Sequence, residues 1–72
     1  MASIVITIGT LWGPRILASS SETEAAQTAE MILRRLPGDS LPALVWIVCA
    51  DPAVRRRLTD YLADVQAELV GR

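Results

Sequence analysis

The chain lacks several residue types on which enzymes commonly depend. Its 72 residues include no histidine, no lysine and no phenylalanine, and only one cysteine, Cys49. Without lysine there is no Schiff-base chemistry and no Walker-type phosphate lysine. Without histidine a nucleophilic cysteine would lack its usual activating base, and a lone cysteine in an apolar strand is ordinarily a small core residue. We therefore predict a non-enzymatic protein without a cofactor.

The usual supports of a very small core are missing as well. One cysteine cannot form an internal disulfide, and without histidine the scattered carboxylates make no metal-ligand cluster. A domain near the lower size limit is then supported by oligomerisation, and the apolar content of 51% agrees with this. We expect residues 1–72 to form one domain that binds itself, as a homodimer, or a larger protein.

The charge balance favours no highly charged partner. The net charge is −1, and all seven basic residues are arginine. This does not favour nucleic acid or an anionic membrane as a partner. No segment reaches the roughly 18–20 apolar residues that cross a bilayer, and residues 4–8 are too short for a signal-peptide core. We predict a cytoplasmic protein with no membrane partner.

The first part of the chain has the pattern of a β-hairpin. Residues 3–8 alternate isoleucine with other side chains, which predicts a strand with one strongly apolar face. Gly9 and Gly13-Pro14 punctuate the next segment, and residues 15–18 could form a second short strand. The alternative is one long loop over residues 9–20.

The tip of this hairpin would carry two large apolar side chains, Leu11 and Trp12. Such a tip either folds back onto the domain or is presented to a partner, since exposed tryptophan is a frequent anchor of interfaces. Folding back is favoured by the small size of the core, which needs every large side chain.

Two helices are predicted from their caps and periodicity. Ser21 and Glu24 have the spacing of a capping box, and apolar residues then recur at helical spacing until Pro37-Gly38. Asp51-Pro52 combines an N-cap with a proline at the first helical position. Apolar residues recur again at helical spacing over 54–69.

Between the helices lies the most apolar segment of the chain. Residues 43–50 are eight apolar residues in succession, closed by Asp51-Pro52. A strand with one wet face alternates apolar and polar residues, and this one does not, so both of its faces should be covered. Two helices cannot cover both faces of such a sheet.

The predicted fold is an α/β domain with the order β-β-α-β-α. Its single-layer sheet has two or three strands and includes a parallel pair joined by a right-handed crossover. With both helices on one face, and the sheet completed by dimerisation, the other face of the apolar strand presents one of two triplets. These are Leu44, Trp46 and Val48, or Val45, Ile47 and Cys49.

Our first hypothesis is therefore an interaction module, such as an inhibitor, an antitoxin-like partner or an adaptor. Leaving three apolar side chains exposed forgoes on the order of 5 kcal/mol of transfer free energy, which rivals the whole stability of a small domain. Covering them by a partner recovers it. The predicted interface residues are Leu11, Trp12, Leu44, Trp46 and Val48.

The alternative hypothesis is a regulatory domain that binds a small anion or a nucleotide. In a β-α-β unit both helix N-termini lie at one edge of the sheet, where free N–H groups and arginines favour anions. Serine-rich helix starts are usually only caps, however, and Arg56 and Arg57 could pair with Asp60. The predicted anion-binding residues are Ser19, Ser20, Ser21, Arg55, Arg56 and Arg57.

Overall fold

The fold is a three-stranded antiparallel sheet with two helices packed on one of its faces. The computed structural model describes residues 3–71. The sheet order is β2-β1-β3, with β1 paired antiparallel to both neighbours. In chain order the elements are β1 (Ile4–Thr10), β2 (Gly13–Ser19), α1 (Glu22–Arg35), a short 3₁₀ turn (Gly38–Ser40), β3 (Leu44–Cys49) and α2 (Pro52–Val70).

The predicted hairpin is confirmed. Thr10 pairs with Gly13, which leaves Leu11 and Trp12 as a two-residue tip. The Thr10 hydroxyl donates to the Gly13 carbonyl at 2.6 Å and accepts from the Trp12 N–H at 3.1 Å. Gly13 has a φ of 110°, in the region that favours glycine, so the turn depends on the absence of a side chain there.

The predicted parallel pair is wrong. β2 and β3 run in the same direction, but β1 lies between them and is hydrogen-bonded to both. The β2-α1-β3 crossover therefore joins strands that are not neighbours. The central place suits β1 because its isoleucines, Ile4, Ile6 and Ile8, form the most apolar face and are buried there in one core with side chains of both helices.

Both predicted helix starts are confirmed. The Ser21 hydroxyl accepts a hydrogen bond from the Glu24 N–H at 3.2 Å. The Asp51 carboxylate accepts from the N–H groups of Ala53 and Val54 at 2.9 and 3.4 Å, and Pro52 opens α2. These bonds satisfy N–H groups that have no partner within the helix.

The core lies entirely between the sheet and the helices. The helices pack on each other, α1 also packs on β1 and β2, and α2 packs on β3. Small residues on α1 bring that helix close to the strands. The buried apolar side chains are Ile4, Ile6, Ile8, Ala25, Ala29, Leu33, Ala43, Leu58, Leu62 and Val65.

Gln66 of α2 hydrogen-bonds to the backbone just before β3, on the side of that strand that faces away from β1. Its side-chain oxygen accepts from the Ala43 N–H at 2.6 Å, and its amide nitrogen donates to the Ala43 carbonyl at 3.0 Å. The backbone groups of Ala43 therefore point away from β1. Because this orientation alternates along a strand, the N–H and C=O groups of Val45 and Ile47 point to the same outer edge.

Candidate interaction surface

The face of the sheet opposite the helices is the most unusual surface of the molecule. The strand register places three residues of each strand side by side on this face. We call these nine residues the apolar platform: Val5, Thr7, Gly9, Pro14, Ile16, Ala18, Leu44, Trp46 and Val48. None of them carries a charge.

The large side chains of the platform are open to solvent. Leu44 is 79% exposed, Trp46 71% and Ile16 66%, and Val48 is exposed as well. The alternate residues of β3 are only half-exposed and pack against the core. The tertiary structure thus selects Leu44, Trp46 and Val48, rather than the other triplet, as the open side of the apolar strand.

The hairpin tip adds to this surface. Trp12 is 73% exposed and Leu11 69%, so the expectation that the tip folds back onto the domain is wrong. Leu11 and Leu44 line the same shallow cleft, which makes the tip continuous with the end of the platform. All five residues of the predicted interface are therefore exposed.

The size of this surface lies at the upper end of what a soluble monomer usually shows, and it exceeds that range when the hairpin tip is included. The four large platform side chains expose roughly 550 Å², and roughly 850 Å² with the hairpin tip, against about 300–600 Å² for the largest apolar patch of a typical monomer. An apolar surface of this extent is typical of a site for a protein partner.

Sequence reasoning missed part of the platform. Ile16 is as exposed as the predicted residues, and it lies beside Thr7 in the row that contains Trp46. The two-residue tip fixes the hairpin register, and the isoleucines of β1 identify its buried face. Together these two signals place Ile16 on the open face, so it could have been found.

The predicted anion-binding rim is brought together at one end of the sheet. Ser19 at the end of β2 and Cys49 at the end of β3 both pair with Ile4. The two helices that succeed these strands therefore begin at the same edge and run side by side in the same direction. This places Ser19, Ser20 and Ser21 near the arginines of the first turns of α2.

Part of the rim is occupied by groups of the chain itself. Arg57 donates two hydrogen bonds of 2.8 Å to the two carboxylate oxygens of Glu22. Ser19 is bonded to the backbone of Ser21, accepting at 3.0 Å and donating at 3.2 Å, and the Ser21 hydroxyl caps α1. Arg56 lies 4.0 Å from Asp60. A carboxylate thus sits where an anion would bind, and an anion site stays a prediction.

The same kind of contact continues between the two helices. Arg34 donates to Glu30 at 2.8 Å and to Glu68 at 3.0 Å, and the Tyr61 hydroxyl donates to Glu30. The Tyr61 hydrogen bond, followed by that of Arg34, lowers the pKa of Glu30 below its usual value. These groups are exposed, so each pair contributes little to the stability of the fold.

A shallow cleft of about 400 Å³ lies between α1 and α2. Its two charged residues neutralise each other, so it offers no free charge to a ligand. The cleft is lined by Glu22, Thr23, Ala26, Gln27, Arg57, Leu58 and Tyr61.

Acidification should destabilise the fold through these helix contacts. The hydrogen bonds from Arg57 lower the pKa of Glu22, as those from Tyr61 and Arg34 lower that of Glu30. A carboxyl whose pKa is lower in the folded state stabilises the fold above its unfolded pKa, about 4.3 for glutamate, and loses this effect as the pH falls through the folded pKa. We expect a small decrease of the melting temperature once the pH is below about 5.

The matched control for this prediction is the double variant Glu22→Gln, Glu30→Gln. Near neutral pH its melting temperature should be lower than that of the wild-type chain. Between about pH 6 and pH 3, the range in which these carboxyl groups titrate, its melting temperature should change less. If the two proteins show the same pH profile, the acid response comes from other carboxyl groups.

The remaining candidates for chemistry stay isolated. Cys49 is a free thiol, half-buried rather than fully buried. No group of three or more histidine, cysteine, aspartate or glutamate residues within 3–71 could hold a metal ion.

Neither α1 nor α2, the helices of the described chain, combines the length and apolar character needed to pass through a bilayer.

Comparison with models of known protein families, with curated proteins and with solved structures finds no match for this chain.

Proposed function

We propose that the protein is a non-enzymatic protein–protein interaction module whose binding surface is the apolar platform together with the Leu11–Trp12 tip. The observation that carries this proposal is the exposure of Trp46, 71% open to solvent on an uncharged sheet face. Trp46 lies in the middle row of the platform, flanked by Leu44 and Val48 on its own strand. An exposed large aromatic side chain within an apolar patch is a frequent anchor of an interface.

The free energy available from covering the platform is large for so small a domain. Burial of one large apolar side chain stabilises by about 1.5–3 kcal/mol. Four such side chains on the platform amount to more than about 5 kcal/mol, the whole stability of a marginal domain. A partner that covers this face would stabilise the fold as well as bind to it.

The same surface suits a protein partner better than a small ligand. Small-molecule sites are concave, with a few placed polar groups, whereas the platform is a broad sheet face whose only polar side chain is Thr7. An inhibitor, an antitoxin-like partner or an adaptor would use such a surface in the same way, by packing it against another protein.

Site-specific photocrosslinking in the producing cell tests this function. A benzophenone amino acid is placed at Trp46 or at Ile16 on the platform, and at Met31 as the control. Met31 is an exposed apolar residue on α1, on the other side of the molecule. We expect covalent protein adducts from both platform positions and much weaker adducts from Met31, because only the platform is covered by a partner.

Equal adducts from all three positions, or none from the platform, would contradict the proposed function. The mass of each adduct also reports whether the bound partner is a second copy of the 7.8 kDa chain or a larger protein.

A further inference from the structure

We infer that the occupant of the apolar platform is a second copy of this chain, packed face to face about a two-fold axis. The proposed function is presupposed here, since the same surface is used and only its partner is named. The resulting assembly has two sheets in the middle, about 10 Å apart, and a pair of helices on each outer side. Three features of the platform favour this occupant.

The first feature is the area. The large platform side chains and the hairpin tip together expose roughly 850 Å², and a stable interface covers about 800 Å² on each partner. The platform and tip thus supply the whole of one standard interface. In the alternative dimer, β3 of one copy would pair edge to edge with β3 of the other through the backbone groups of Val45 and Ile47. That arrangement would leave the platform exposed on both copies.

The second feature is the absence of charge. The only charged residue in the three strands is Arg15, which pairs with Ile8 and therefore lies on the helix side of the sheet. A face without charges cannot repel its own copy and leaves no ion unpaired on burial. Interfaces between different proteins commonly use complementary charges for steering and specificity, whereas those of homodimers are more apolar.

The third feature is the relief of the platform. The two outer rows are exposed, with Leu44 and Trp46 on β3 and Ile16 on β2, whereas the β1 row between them is half-buried. A two-fold axis parallel to the strands and centred over β1 sets the β3 row of each copy opposite the β2 row of the other, with Trp46 facing Ile16 because both pair with Thr7. One surface thereby supplies both halves of the contact, as an isologous dimer requires.

Sedimentation equilibrium of the purified chain tests this partner directly. At about 50 µM we expect a mass of twice 7.8 kDa. Trp46→Arg and Ile16→Arg should each raise the dissociation constant by about 30-fold or more, because each places a charge in the interface. Met31→Arg puts the same charge on the exposed side of α1 and should leave the dimer unchanged.

A second control separates face packing from edge pairing. The N–H of Val45 points to the outer edge, so Val45→Pro removes an edge donor without removing a hydrogen bond to β1. We expect the dimer to survive this substitution. A dimer that survives both platform arginines but is lost in Val45→Pro would overturn the inference. Circular dichroism of each variant verifies that it is folded.

A wild-type chain that is monomeric at about 50 µM would also overturn the inference. Acrylamide quenching in the Trp12→Phe variant, in which Trp46 is the sole tryptophan, then separates the two proposals. A freely quenched Trp46 in that monomer would leave the platform available to a larger protein, so the proposed function would stand. A protected Trp46 in a monomer would contradict both.

Discussion

Replacing Ile6 with alanine will remove most of the stability of the fold, whereas replacing Ile16 with alanine will leave the monomer nearly as stable as before. Both are isoleucines of neighbouring strands in one sheet, but Ile6 is fully buried at 0% exposure and Ile16 is 66% exposed. A buried isoleucine truncated to alanine costs about 2–5 kcal/mol, because methyl groups are lost and a cavity is left. A domain of this size has about 5 kcal/mol in total.

Urea denaturation, followed by far-UV circular dichroism in a long-path cell at about 0.5 µM protein, measures both effects while limiting any contribution from self-association. The expected change at Ile16 is within about 0.5 kcal/mol, as for other exposed positions. Similar losses at the two positions would show that Ile16 is buried in the monomer, and the apolar platform would then not be an open surface.

Enlarging Ala29 to leucine should destabilise the fold by about 1–3 kcal/mol. Ala29 lies on the buried face of α1 and is 0% exposed, so three additional carbon atoms would push the helix away from the sheet. Ala67 of α2 is the matched control, since it is exposed at a helical position. Ala67→Leu should change the stability little.

The melting temperatures of the two leucine variants provide the measurement. For a domain of 60–100 residues, a loss of 1 kcal/mol lowers the melting temperature by about 4–8 °C. If Ala29→Leu melts like Ala67→Leu, α1 does not approach the sheet as closely as the structure shows.

Local features of this fold were readable from the sequence because the interactions that form them are local. Ser21 caps α1 through a group three residues away, and Asp51 caps α2 through groups two and three residues away. The hairpin depends on a two-residue tip and on Gly13. Each of these signals lies within a few residues of the structure it predicts.

Contacts between distant residues were not readable in the same way. Helical spacing would allow Arg57 to pair with Asp60, three residues away, but it pairs with Glu22, 35 residues away. The rule for charge pairs on one helix says nothing about a neighbouring helix. This pairing is what fills the predicted anion rim with a carboxylate of the chain itself.

The sequence alone determined that the apolar segment around Trp46 has more surface than two helices can cover. This can be read without a structure because the segment is uninterrupted by polar residues and the chain offers only two helices. The strand order, and with it the antiparallel place of β3 beside β1, came from the tertiary structure. The sequence leaves open whether β3 pairs with β1 or with β2. The burial of the β1 isoleucines in the core shared with both helices places β1 in the middle and β3 beside it. That packing turns Leu44, Trp46 and Val48 outward and adds Ile16 beside them.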